Sequence, residues 1–268
     1  MKIARSALPA IALALCAAAQ AHAGASDWHH MEGGSIRLVT SDTADADGVL
    51  RGALEIRLAP GWKTYWRDPG DSGVPPTVDV VADGQATNVD ISFPAPRRFD
   101  DGYSLWTGYD EPLSLALALK LPQAAVPTDF VANVFLGICE TICIPVQAQL
   151  SLETRGDVSH PEHKAVVDAA FAALPEAATE AFGAKAQDAT DEHIVVDAAL
   201  PEGARAVDLF VAGNEAVALG VAEREAESES GARFTVPVLR RADGKAKEDV
   251  VYTLVTTQGA VTGRLALP

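Results

Sequence analysis

The sequence predicts a mainly β protein: an antiparallel β-sandwich, then a helical linker, then a second and smaller sandwich-like β domain. Three observations carry this expectation. From about residue 35 to 153 the apolar residues recur with period two, as in strands with one buried face. After Gly156 the spacing becomes that of an amphipathic helix, and from about residue 190 period two returns.

The first 23 residues stand apart from the fold. Lys2 and Arg5 give a positive start, Ala7 to Ala19 is nearly all apolar, and Ala21-His22-Ala23 has the small-x-small pattern of a signal-peptidase site, so cleavage is expected after Ala23. Cys16 follows Leu15, where a lipid-anchoring site needs a small residue. Loss of Lys2 and Arg5 takes the formal charge from −16 to −18 and leaves two cysteines, Cys139 and Cys143. So acidic a chain repels nucleic-acid backbones and anionic membrane surfaces. No later stretch approaches the ~20 apolar residues that span a bilayer. The expected protein is exported to a periplasm, does not cross a membrane and binds no nucleic acid.

Within residues 24–156, Leu54, Ile56 and Leu58 alternate with Glu55 and Arg57, and Val89, Ile91 and Phe93 repeat the pattern. Leu113, Leu115, Leu117, Leu119 and Leu121 face one way while Ser114, Ala116, Ala118 and Lys120 face the other. Ile144, Val146, Ala148, Leu150 and Leu152 alternate with Gln147, Gln149, Ser151 and Glu153. Pro60-Gly61, Pro69-Gly70, Pro75-Pro76, Asp83-Gly84 and Pro94 to Pro96 mark the turns. Together these strands make a sandwich.

Residues 157–187 read as the linker. Ser159 with Glu162 forms a capping box, Pro161 suits the first turn, and Val167, Ala170, Phe171 and Leu174 lie at helical spacing. The Ala-rich acidic stretch up to Thr190 continues the linker or forms a second short helix. Residues 188–268 form the second β domain, with Ile194 and Val196, Val207, Leu209 and Val211, Phe234, Val236 and Val238, Tyr252 and Leu254, and Val261, Leu265 and Leu267 facing inward. The tract Glu223 to Glu229 reads as a solvated loop.

Cys139-Glu140-Thr141-Ile142-Cys143 is the segment with chemical potential, and three readings are open: a metal pair, a structural staple and a redox couple. A helix, which would set both thiols on one face for a metal, is disfavoured by Gly137, Pro145 and the β-branched residues between the cysteines. Zinc would need further ligands, and the nearest histidines are His160 and His163, with His29 and His30 farther off. In one extended strand the sulfurs would lie ~13 Å apart, so a disulfide requires a turn at Glu140 to Ile142 and a hairpin around it. Parity then puts Cys143 on the outer face with Gln147 and Gln149. Closing so small a loop removes only ~2 kcal/mol of unfolded-chain entropy, a modest return for a chain with this much core. Redox use is favoured, although Glu140 disfavours a thiolate and no basic residue adjoins the pair. A docked partner supplying the attacking thiolate fits best.

Three blocks carry a resemblance. The run from Pro60-Gly61-Trp62-Lys63-Thr64-Tyr65-Trp66-Arg67-Asp68-Pro69-Gly70 to Pro75-Pro76, the segment Phe93-Pro94-Ala95-Pro96-Arg97-Arg98-Phe99, and Cys139-Glu140-Thr141-Ile142-Cys143-Ile144-Pro145 resemble the periplasmic amino-terminal domain of the DsbD/ScsB thiol:disulfide interchange proteins, closest to the ScsB branch linked with copper tolerance. The resemblance implies an immunoglobulin-like fold and a thiol:disulfide oxidoreductase of the protein-disulfide reductase type. Such a protein passes electrons from a membrane-embedded thiol transporter to periplasmic thioredoxin-fold partners, without a cofactor or metal. By position Cys143 matches the cysteine that joins partners in mixed disulfides, and Cys139 its resolving mate. Tyr65 matches a tyrosine beside the site, and the stretch holding Phe99, Asp100, Tyr103 and Trp106 occupies the place of a capping loop. Because full-length members continue into a transporter and a thioredoxin-like domain, a free-standing soluble version is expected here. The competing function is a copper- or protein-binding sandwich with a structural disulfide, to which His29, His30 and Met31 could contribute, although a solvated terminus is the simpler reading of those three.

Overall fold

The computed structural model describes residues 24–70, 73–100, 102, 105–121, 126–154, 160–228, 231–242 and 249–267. The expected signal segment and Tyr103 lie outside the described residues. The first β region holds eleven strands: β1 (His29–Met31), β2 (Gly34–Ala44), β3 (Val49–Leu58), β4 (Lys63–Tyr65), β5 (Thr77–Ala82), β6 (Gln85–Ser92), β7 (Arg97–Asp100), β8 (Leu105–Tyr109), β9 (Leu113–Lys120), β10 (Asp129–Cys139) and β11 (Cys143–Glu153). Every pairing among them is antiparallel.

One sheet runs β1-β2-β3-β9-β6, and the other joins β5, β10, β11, β4, β8 and β7. β6 serves both, pairing with β5 through Gln85 to Thr87 and with β9 through Asn88 to Ser92. The alternation in the sequence sets the register: Leu54 sits opposite Leu115, and Phe130 opposite Leu152. Leu38, Leu50, Leu54, Leu117 and Leu119 of the first sheet meet Phe130, Leu136, Val146 and Leu150 of the second, all buried. Each such side chain contributes about 1.5–3 kcal/mol by leaving water. The result is an immunoglobulin-like sandwich, as expected.

Helix α1 (Pro161–Ala172) lies on the outer face of the first sheet. It fits there because that face is lined by Val39, Ala53 and Ala116, small enough for Val167 and Ala170 to pack closely. The expected capping box is not what starts it. Pro161 takes a first-turn position, so the N-cap is His160, which makes no side-chain cap; Ser159 is outside the described residues. His29 to Met31, expected as a solvated terminus, form β1 instead, and Met31 packs against the core.

The second β region pairs two small sheets around Ile194, Val196, Leu209, Phe234, Val236, Tyr252, Leu254 and Val261. Three local expectations fail here, each for a physical reason. Gly183–Ala189, expected as linker or helix, is a strand on His193–Ala199; its partner's apolar face, rather than its own Ala-rich sequence, decides its conformation. Glu223–Ser228, expected as a loop, is a strand on Gly231–Arg241. All six of its residues are exposed, so no alternation marks it, and its charges guard a sheet edge. Val207 is 59% exposed because the register slips between Ala206 and Asp208, which turns it outward.

The strand Ala206–Ala212 joins the two regions. Its Leu209 and Val211 belong to the second core, while Phe210 and Ala212 are buried in the first. Arg98 of β7 grips Asp208 with two hydrogen bonds of 2.8 Å, the Phe210 ring meets Trp66 edge-on at 5.9 Å, and the Gly213 amide donates to the Asp68 carboxylate at 2.7 Å.

Candidate functional site

β10 and β11 form one long hairpin whose eleven cross-strand pairs run from Asp129 opposite Glu153 to Cys139 opposite Cys143. Glu140, Thr141 and Ile142 make the turn, with the Glu140 amide donating to the Ile142 carbonyl. The two cysteine Cα atoms are 4.1 Å apart and the sulfurs are bonded. Cys139 is 8% exposed, whereas Cys143 is exposed, on the outer face that strand parity gave it. Ile142 beside it is 70% exposed, an apolar side chain at the hairpin tip.

β4 builds the other wall. Lys63 pairs with Cys139 and Thr64 with Ile138, and the buried Thr64 hydroxyl donates to the Gly137 carbonyl at 2.8 Å. This fixes Tyr65, whose hydroxyl is 3.0 Å from both Cys139 Sγ and Cys143 Sγ. A disulfide sulfur has no hydrogen, so the tyrosine is the donor. The ring passes over Gly137 because nothing larger fits: a Cβ there would stand 2.9 Å from Tyr65 Cε2. Glycine in a strand interior marks such a close approach.

The β7–β8 hairpin backs this wall. Tyr65 pairs with Gly108, and Phe99 sits opposite Trp106. Trp106 meets Tyr65 edge-on at 5.8 Å and stacks on Phe99 at 4.1 Å, with the Lys63 ammonium 5.0 Å from the indole centre. Tyr65, Trp106 and Cys139 form one buried cluster with Phe99 against it. Asp100 follows Phe99 at the end of β7, and its carboxylate accepts from the Gly102 amide at 2.8 Å. Tyr109 anchors the far end of β8, donating to the Pro94 carbonyl at 2.8 Å, and its burial raises the phenol's pKa so that the proton stays. Among the described residues, the one group of three metal-ligating side chains is His160, Glu162 and His163, which contains neither cysteine.

Sequence reasoning missed Lys63, Thr64 and Gly137 as builders of the site. Gly137 carried a signal, as the lone glycine inside an apolar strand two residues before a cysteine. Thr64 carried none, because its partner is a backbone carbonyl 73 residues away.

The sequence model of the amino-terminal domain of the thiol:disulfide interchange protein DsbD matches residues 37–155, which hold both cysteines and most of the sandwich. Residues 37–155 belong to this family. The whole described fold is similar to the crystal structure of the N-terminal periplasmic domain of ScsB from Proteus mirabilis, with a TM-score of 0.72 at 18% identity, covering 92% of this chain and 100% of that one. That likeness extends the shared architecture beyond the DsbD-type domain to the second β region. Tandem immunoglobulin domains A164–A165 of titin (11% identity, 91% of this chain, 96% of that one) and a conserved domain protein from Bacillus anthracis (8%, 86% and 76%) have TM-scores of 0.20 and 0.21 and carry no argument. A search of curated proteins found no match. Among the described residues no helix is long and apolar enough to cross a membrane.

Proposed function

We propose that the chain is a periplasmic thiol:disulfide oxidoreductase that relays electrons from a membrane-embedded thiol transporter to thioredoxin-fold partners. The observation that carries this reading is the asymmetry of one hairpin: an exposed Cys143 bonded across the strands to a buried Cys139, with one tyrosine hydroxyl on both sulfurs. In this reading residues 24–156 are the redox domain, the stretch from 157 that carries α1 connects it onward, and the supporting domain begins with the strand Gly183–Ala189 and runs to residue 268. Cys139 and Cys143 are the catalytic pair, and Tyr65, Trp106 and Phe99 line them.

Loading begins when a transporter thiolate attacks Cys143 Sγ. The Cys139–Cys143 bond breaks, the Cys139 sulfur leaves as a thiolate, and a mixed disulfide forms on Cys143. The transporter's second thiolate then attacks its own sulfur in that bond. Cys143 is released reduced, two electrons have entered the hairpin, and the transporter is left oxidised. Discharge runs the other way: the Cys143 thiolate attacks a partner disulfide, and Cys139 attacks Cys143 Sγ to expel the reduced partner and restore the hairpin bond. Tyr65 donates its hydroxyl hydrogen bond to whichever sulfur carries charge. No metal or organic cofactor enters these steps.

Trapping tests the assignment. With Cys139 replaced by alanine, Cys143 should accumulate mixed disulfides with thioredoxin-fold proteins in cells, and Cys143→Ala should trap none. Equal trapping by both variants would overturn the roles. A wild-type pair that stays oxidised under strong dithiol reductant would mean a structural disulfide. A role in copper tolerance belongs to the same reading, and loss of copper resistance in the double Cys→Ala strain is its measure.

A further inference from the structure

A second cluster of chemically able side chains lies at the start of α1, on the outer face of the first sheet. One ligand atom each from His160, Glu162 and His163 falls within 4.8 Å of the others. Pro161 starts the helix between the two histidines: His160 is its N-cap and His163 lies in its first turn. Their rings stack at 5.0 Å with 28° between planes.

We infer that this cluster binds a divalent transition-metal ion of the zinc type, with the two imidazoles as ligands and Glu162 orienting His160. His160 Nδ1 lies 3.2 Å from Glu162 Oε1, a distance at which the ring donates its Nδ1 hydrogen to the carboxylate. The lone pair then resides on Nε2. That nitrogen is buried and, among the described residues, has no hydrogen-bond partner. An unmatched buried acceptor is costly, and a metal ion in front of it removes the cost. Carboxylate to imidazole to metal is the usual arrangement around a ligating histidine, because the carboxylate fixes the tautomer and makes the ring a better donor.

The surroundings suit a cation. Glu162 turns its carboxylate to the His160 ring. Asp42 adds a second carboxylate beside the site, accepting from the His160 amide at 3.1 Å. His163 is 5% exposed and sits so close to the Gly24 backbone that a Cβ there would come within 2.9 Å of its Nδ1. Gly24 itself has a φ of +84°, so the backbone passes this ring in a conformation that favours glycine. Imidazole with carboxylate support selects Zn²⁺ or Cu²⁺ over Mg²⁺ or Ca²⁺, which prefer all-oxygen sites.

Titration of the full-length protein with Zn²⁺ alone, followed by calorimetry and by competition with a chromophoric chelator, tests the inference. One ion should bind per chain. Glu162→Gln should weaken binding by about 10–100-fold, the usual loss for an outer-shell carboxylate, and His160→Ala should abolish it. Both residues reach the surface, so these variants are expected to keep the wild-type circular dichroism. His163→Ala, a buried change, is a supporting variant only. Binding should survive in the Cys139→Ala/Cys143→Ala protein and in His29→Ala/His30→Ala. The inference is overturned if Zn²⁺ does not bind the wild type, if binding persists in His160→Ala, or if loss of His29 and His30 removes it.

Discussion

Replacing Tyr65 with phenylalanine removes one oxygen atom and leaves the ring that fills the space over Gly137 and against Trp106. That oxygen is 3.0 Å from each sulfur and the residue is 6% exposed, so water does not readily take its place. A disulfide sulfur is a weak neutral acceptor, whereas a thiolate is a charged one. A hydrogen bond to a charged group contributes about 1.5–3 kcal/mol, so most of the hydroxyl's contribution appears only when a thiolate forms. Because a tenfold change in an equilibrium corresponds to about 1.4 kcal/mol, its loss should raise the Cys143 pKa by roughly 1–2. The assay is the pH dependence of iodoacetamide alkylation in a Cys139→Ala background, which isolates Cys143. The midpoint should move to higher pH, and the rate at neutral pH should fall at least about tenfold because the thiolate fraction falls with it. An unchanged midpoint would refute the reasoning and reduce Tyr65 to a space-filling ring.

Other contacts give expectations of their own. Gly137→Ala should displace the Tyr65 ring and cost about 1–3 kcal/mol by overpacking, read as a lower denaturant midpoint together with altered Cys143 alkylation. Arg98→Ala and Asp208→Ala should show a coupling of about 1.5–3 kcal/mol in a double-mutant cycle, because the pair is bidentate and its side chains are only 19% and 21% exposed; a coupling near zero would mean that the ion pair adds nothing to what Phe210, Ala212 and the Gly213–Asp68 hydrogen bond supply. Asp83 accepts from the Thr128 and Asp129 amides, which hold its pKa below the usual carboxylate value. Its contribution is therefore present above the unfolded pKa of ~3.9 and lost as pH falls through the lowered folded value. In Asp83→Asn, acid unfolding monitored by tryptophan fluorescence should lose that part of its pH dependence.

Much of the sandwich is legible in the sequence because most of its strands turn large apolar side chains to the core and small or polar ones outward. Leu113 to Leu121 and Ile144 to Leu152 announce their faces, and the outward parity of Cys143 follows from the second run. Where both faces of a strand meet the same environment, period two says nothing. Glu223–Ser228 is wet on both faces and reads as a loop, while Ala206–Ala212 is buried on both and hides the role of Phe210. The site divides in the same way. The cysteines and Tyr65 are legible, the cysteines from local spacing and Tyr65 through the resemblance. Thr64 with Gly137 and Arg98 with Asp208 are not, because their pairing exists only once distant strands have been brought together.

The insertion of Phe210 and Ala212 into the first core has a consequence for the order of events in the life of the chain. The last strand of the first sandwich ends at Glu153, yet that sandwich is not packed until a segment more than fifty residues later has emerged. The same segment carries Asp208, which grips the β7–β8 hairpin behind Trp106. A chain synthesised amino-terminus first therefore completes the packing of its first sandwich only once this segment is present. The later half of the sequence thus sets when the earlier half becomes selective.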